Sequence, residues 1–153
     1  RQEVQNLREL MEQMRPVNLT PPQLLDFLAD AAEKFQRATG IATTFVCERE
    51  EVSLSPRVCR ELARIVQEAL VNIRKHSGAQ NAVVRFAAHD GRWRLVVDDD
   101  GRGFPFSGRF DLARLDAERK GPVVIKERVR TMGGEITVES TPGRGSRLEI
   151  TLP

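Results

Sequence analysis

The sequence has no apolar run approaching the roughly 20 residues that a bilayer-spanning helix needs, almost no excess of charge of either sign, and only two cysteines and two histidines. The first lack argues for a soluble unit, and the opening residues RQEVQNLREL have none of the character of a signal peptide. With 24 Lys+Arg against 22 Asp+Glu the formal charge is +2. That balance gives no reason to expect a nucleic-acid or polyanion partner, even though the pI of 8.8 leans basic. Cys47 and Cys59 fall in different predicted elements and lack metal-ligand spacing. A disulfide or a zinc site stays open for them, but two buried thiols in a reducing compartment fit best. Internal repeats and low-complexity tracts are also missing. The chain starts at Arg rather than Met and enters directly into a helical pattern. This makes it read as a piece of a longer protein whose remainder holds a sensor or a membrane anchor.

The 153 residues, 40% of them hydrophobic, suit one domain with a small appendage. Val4, Leu7, Met11 and Met14 alternate spacings of three and four, the seam of a short coiled coil, until Pro16 stops the helix. Two heptads do not establish a coiled coil, so a helix packed on its own domain stays equally open. Thr20-Pro21-Pro22-Gln23 combines a cap, a first-turn proline and a glutamine three after the cap. The apolar face Leu24, Leu28, Ala31, Phe35 follows, closed by Gly40. Ile41 to Val46 reads as a strand. Ser55-Pro56 opens the longest helix, with Val58, Leu62, Ile65, Val66, Ala69 and Ile73 as its stripe and Gly78 at its end. Ala82 to Ala88 and Arg92 to Asp98 read as strands joined at the hairpin turn Asp90-Gly91. From Gly101 to Gly121 periodicity vanishes, as in a functional lid or a disordered segment. Pro122 to Met132 reads as a helix stopped by Gly133-Gly134, and strands Glu135 to Ser140 and Arg147 to Leu152 end the chain.

Two constellations carry chemistry. Glu68, Asn72 and Lys75 share the border of the long helix's apolar stripe, with His76 beside them, so a carboxylate, an amide, an ammonium and an imidazole gather toward one groove. A polar edge on an amphipathic helix is ordinary, and a solvated surface would read the same. The second constellation is Val96-Val97-Asp98-Asp99-Asp100-Gly101-Arg102-Gly103-Phe104. Three adjacent carboxylates repel one another, so a fold that keeps them uses at least one. An acid at a strand end can accept from an exocyclic amine, and glycines let a ligand approach the backbone. An acidic turn with glycines for its geometry would read the same, and a calcium loop fits less well because the later EF-hand ligands do not follow.

Gln67 to His76 resembles the asparagine box of the histidine-kinase ATP-binding domain, in the superfamily shared with gyrase, Hsp90 and MutL. Asp99, Gly101 and Gly103 are similar to its first glycine box. Gly121, Lys126-Glu127-Arg128-Val129 and Gly133-Gly134 resemble the second glycine box and its helix in the subfamily paired with NarL/FixJ-type response regulators. Thr141 to Ser146 resembles the closing turn. Four motifs in order are far more specific than any one. The resemblance implies a Bergerat-type two-layer α/β sandwich, a mixed sheet covered on one face by helices, with a flexible ATP lid. Residues 1–16 would end a dimerisation helix and 17–153 would form the ATP-binding catalytic domain. Asn72 would hold Mg2+, and Glu68 would polarise the attacking group or order the metal's water. Lys75 and His76 would face the phosphates, with Gly121 at the lid. Asp99 would accept from the adenine amino group, Gly101 and Gly103 would leave room for the base, and Ser146 would support Asp99 through water.

The implied activity is that of a two-component sensor kinase, donating the ATP γ-phosphoryl to a histidine on a dimerisation helix outside this chain. Its partners would be those helices in a homodimer and a NarL/FixJ-type regulator, without nucleic acid. The expected location is a cytoplasmic domain, with a membrane-anchored parent left open. One stretch departs from the pattern: Arg119-Lys120-Gly121-Pro122 stands where Gly-x-Gly-Leu is usual, and Ile125 replaces methionine. This keeps a second class open, a degenerate relative that binds nucleotide weakly and acts as a protein-interaction domain. An anti-sigma-type serine kinase fits less well, given the 126–129 helix. Neither His76, inside the asparagine box, nor His89, beside a hairpin turn, is a good phosphoacceptor. The 153-residue chain incubated with labelled Mg-ATP is therefore expected to take up no label, and phosphohistidine on it would contradict this.

Overall fold

A computed structural model describes residues 2–16, 19–48 and 53–152, with the side chains of residues 2–6, His76, Ser77 and His89 outside the description. The chain runs α1 (Gln2–Gln13), α2 (Pro21–Thr39), β1 (Ala42–Cys47), α3 (Pro56–Asn72), a π turn (Ile73–Ser77), β2 (Asn81–His89) and β3 (Arg92–Asp99). There follow β4 (Gly108–Asp111), α4 (Leu112–Ala117), α5 (Val123–Met132), β5 (Glu135–Thr141) and β6 (Gly145–Thr151). The six strands form one sheet in the order β1-β2-β3-β6-β5-β4. β1 pairs with β2 in parallel across the α3 crossover, and every other pairing is antiparallel.

Local chemistry accounts for the elements. The Thr20 hydroxyl accepts from the Gln23 amide while the Gln23 side chain accepts from Thr20, a complete capping box, and Gly40 closes α2 at φ 77. Ser55 caps α3 by accepting from Val58, one residue before Pro56 fills the first helical position. Asp90 and Gly91 both take positive φ, as a two-residue hairpin matching strand twist requires.

Period-two alternation then assigns the sheet faces. Leu95, Val97, Val138, Leu148 and Ile150 turn toward the helices and are buried with Leu28, Phe35, Leu62, Ile65 and Leu70 in a single core. The opposite face bears ion pairs, among them Arg147 with Asp98 and Arg109 with Glu149. Helices on one face and charge on the other make the two-layer α/β sandwich that was expected.

Two expectations need correction, and one that was left open is resolved. The stretch Gly101 to Gly121 is not irregular, because β4 extends the sheet and α4 follows it, with Phe106, Phe110 and Leu115 buried. Its apolar residues are few and spaced without period, so neither a helical nor a strand pattern could show them. Of the two cysteines only Cys59 is fully buried, where desolvation raises its thiol pKa, while Cys47 is half-buried at the end of β1. The apolar seam of α1 is spent at home, since Leu7 and Met11 are 1% and 4% exposed in the common core. Val4 lies outside the described side chains. Gln67 on α3 fastens the end of α1 by donating to the Met11 and Met14 carbonyls at 2.8 and 3.0 Å. Replacing Leu7 by Ala should therefore cost the isolated domain roughly 2–5 kcal/mol in urea unfolding. An unchanged urea midpoint would mean that Leu7 serves only a seam between chains.

Candidate functional site

One cleft of about 660 Å³ opens between α3, the end of β3, β6 and the segment before α5. Glu68 and Asn72, one helical turn apart on α3, line one wall. Asp99 and Ser146 line the inner end with Val97 and Leu148, and Phe104 and Phe106 follow Gly103 along the floor. Arg119 to Ile125 form the rim. An apolar hollow with a few convergent polar groups is the usual form of a small-molecule site.

Strand pleat separates the three consecutive acids. Asp98 points to the open face, where its carboxylate takes both Nε and an Nη of Arg147 at 2.7 and 3.2 Å. Asp100 clasps the start of β2, accepting from the Gln80 and Asn81 amides at 2.9 and 2.8 Å and from the Asn81 side chain at 2.8 Å. Those bonds, led by the Asn81 side chain, hold its carboxyl below the ordinary range. Asp99 alone turns into the cleft. One oxygen accepts the Gly101 amide and the other the Ser146 hydroxyl, each at 2.8 Å. A carboxylate offers about four acceptor positions, so Asp99 keeps capacity for a ligand donor. Burial pushes its pKa up, the Gly101 and Ser146 donors oppose this, and the Asp100 and Asp98 charges add to the rise.

Glycine is required here for packing as much as for ligand access. A Cβ on Gly145, whose φ is 128, would overlap the Asp99 carbonyl. One on Gly103 (φ 78) would lie 2.7 Å from Ser140 Oγ and 2.8 Å from the Gly145 carbonyl. The backbone of the closing turn thus locks the strand end that presents Asp99.

The structure brings Glu68, Asn72, Asp99, Gly103, Gly121 and Ser146 together around the cleft. Gly101 is buried behind Asp99 as a donor and does not line it. Ser146 supports Asp99 by a direct hydrogen bond, where an intervening water was expected, because Asp99 and Ser146 are register partners on one face of β3 and β6. Lys75 is exposed and outside the cleft lining. The helix widens to a π turn from Ile73 to Ser77, which breaks the three-and-four spacing that had put Lys75 in line with Asn72. His76 lies on that turn, its side chain outside the described residues. Sequence reasoning gave no role to Arg8 on α1, whose guanidinium reaches the Glu68 carboxylate at 3.3 Å, nor to the Asp100 clasp. It also missed the cleft's aromatic floor, signalled only by the closely spaced Phe104, Phe106 and Phe110.

The helix flanking the rim is pinned from three sides. Lys126, 7% exposed, donates to the Lys120 carbonyl at 2.8 Å and to Asp116 at 3.2 Å. Arg128 grips Glu61 on α3 at 3.1 and 3.2 Å, and Val129 is fully buried.

Comparison with known proteins agrees with this geometry. Residues 58–153 match the family described as histidine kinase-, DNA gyrase B- and HSP90-like ATPase. The chain is similar to the sensor histidine kinase LiaS of Bacillus subtilis, 32% identical over 99% of this chain and 40% of LiaS. It is 27% identical to the nitrate/nitrite sensor protein NarX of Escherichia coli over 95% of this chain and 23% of NarX. It thus spans well under half of these relatives. Its fold resembles the ATP-binding domain of PrrB from Mycobacterium tuberculosis, with a TM-score of 0.62 at 23% identity, covering 90% of this chain and 94% of that one.

The direction of the Asp99 shift has a measurable consequence. In a carboxyl-carbon NMR titration Asp99 should titrate above the ordinary aspartate value of about 3.9. Ser146→Ala should move the midpoint higher still, because the lost hydroxyl favours the charged form. A midpoint that stays put or falls in Ser146→Ala would contradict the assignment.

Proposed function

Because the histidine kinase-, DNA gyrase B- and HSP90-like ATPase family, to which this chain belongs, matches it from residue 58 to 153, we propose that it is the ATP-binding catalytic module of a two-component sensor histidine kinase. The observation that carries this reading is the placement of Asp99, a half-buried carboxylate with acceptor capacity to spare, across one cleft from Glu68 and Asn72. The adenine amino group donates to Asp99, the base lies between Val97, Leu148 and the Phe104 side, and the phosphates extend toward Asn72 and the rim.

Catalysis in this reading is positioning and charge neutralisation. Among the described residues no group of three His, Cys, Asp or Glu could hold a metal by protein ligands alone. The donor set of the Asn72 amide, with Glu68 a turn away, fits Mg2+, which keeps most of its ligands as water and phosphate oxygen. When bound, that ion neutralises charge on the phosphates. Asn72 would hold and orient it, and Glu68 would polarise the attacking imidazole or order water at the metal. The rim excludes bulk water from the transferred group. The acceptor is a histidine on a dimerisation helix outside these 153 residues, and α1, docked on α3, is the end of a second dimerisation helix. Similarity to LiaS and NarX, and the Lys126-Glu127-Arg128-Val129 helix, support a homodimeric parent working with a NarL/FixJ-type regulator. No helix among the described residues is long and apolar enough to cross a membrane. A cytoplasmic location for this domain is part of the proposal.

Calorimetry with Mg-ADP tests the reading. The parent should bind saturably, and Asn72→Ala and Asp99→Ala should each weaken binding by at least about tenfold, the equivalent of 1.4 kcal/mol. Absence of saturable binding by the parent would favour the degenerate relative, since Arg119 and Pro122 already depart from the usual lid.

A further inference from the structure

The rim from Arg119 to Pro122 has lost most of the backbone donors that such a loop can offer an anion. Pro122 has no N–H. The Arg119 amide is spent on the Asp116 carbonyl at 3.1 Å, and the Lys120 amide on the Leu115 carbonyl at 2.8 Å. Arg119 adopts a φ of 53 that few side-chain-bearing residues take, and a Cβ on Gly121 would press on Leu115 at 3.0 Å. The loop is thus shaped around Leu115, and the donors this rim offers a phosphate are the uncapped start of α5 and its side chains.

Among those side chains Lys120 is held in place. Its amide and carbonyl are both engaged, the latter by the buried Lys126 ammonium. Its side chain lines the cleft, with Nζ 5.8 Å from the ring centres of both Phe106 and Phe110. These rings continue a stack from Phe104, whose centroid is 5.4 Å from that of Phe106, so the ladder runs from the Asp99 loop to the Lys120 ammonium. Glu118 lies 3.6 Å from Nζ, but it is bound more closely by Arg114 at 2.8 Å. Two cations against one carboxylate leave one positive charge at the rim.

We propose that Lys120 binds the terminal phosphates of the nucleotide, adding a side-chain charge where the Arg119, Lys120 and Pro122 backbone offers no free donor, and so sets the preference for nucleoside triphosphate over nucleoside. The proposal rests on the nucleotide reading of the cleft. Aromatic support orients the ammonium while leaving its charge unneutralised. A lysine is a mobile point charge suited to following a phosphate, and arginine can supply the same charge from a longer arm.

Binding of Mg-ATP and of adenosine to the parent, Lys120→Met and Lys120→Arg, measured by calorimetric titration or displacement, tests this. Lys120→Met keeps an unbranched stem on the rings and removes only the charge. It should weaken Mg-ATP by about tenfold or more while adenosine stays within about twofold of the parent, and Lys120→Arg should recover most of the loss. Equal loss of ATP and adenosine affinity would reduce Lys120 to a structural prop, and unchanged ATP affinity would leave it no role with phosphate; either result overturns the proposal. A parent that binds adenosine but gains nothing from the phosphates also overturns it while sparing the base pocket. A parent that binds neither ligand removes the nucleotide reading itself.

Discussion

The packing of the closing turn against the end of β3 is the constraint from which the rest of the site follows. Gly145 can sit against the Asp99 carbonyl only without a side chain, and Gly103 is enclosed by Ser140 and the Gly145 carbonyl. With the backbone fixed in this way, Ser146 and the Gly101 amide converge on a single half-buried carboxylate. Burial raises the cost of its charge, and these two donors lower it. The carboxylate is therefore held in one orientation with acceptor capacity remaining. Its two acidic neighbours are drawn away by Arg147 on the open face and by Asn81 at the start of β2, so each member of an apparently repulsive triplet has its own partner.

Caps and periodicity made most of the fold legible. Thr20 with Gln23, Ser55 with Pro56 and the stripe from Leu62 to Ile73 predict α2 and α3 closely, and Asp90-Gly91 predicts the β2-β3 hairpin. Features that depend on tertiary neighbours were not legible. β4 has four residues and exists because Phe110 finds Val138 across the sheet, a partner far off in sequence. The π turn that turns Lys75 out of line follows 17 residues of regular helix and carries no local signal. Of the site, Glu68 and Asn72 were readable from the helical period, whereas Asp99 among the three acids and Ser146 were readable only through the resemblance to the first glycine box and the closing turn. Arg8 was not, because only the docking of α1 carries it to Glu68.

That docking links two parts of the chain. Gln67 holds the end of α1 by its carbonyls, and the next residue, Glu68, is the one that Arg8 contacts at the cleft wall. Adjacent positions on α3 thus face α1 and the cleft. Leu7 and Met11 cannot serve this core and an intermolecular seam at once. The rim shows the same economy, because Asp116 ties Lys126 and Arg130 and so joins α4 to α5, giving shape to a stretch whose sequence alone looked irregular.

The central claim is that Asp99 reads the exocyclic amine of an adenine. The most direct measurement compares Mg-ADP with Mg-inosine diphosphate, which differs at that edge by a carbonyl oxygen in place of the amine and an added ring N–H. A site built around a fixed acceptor should prefer ADP by about a hundredfold or more. Equal affinity for the two nucleotides would contradict the account.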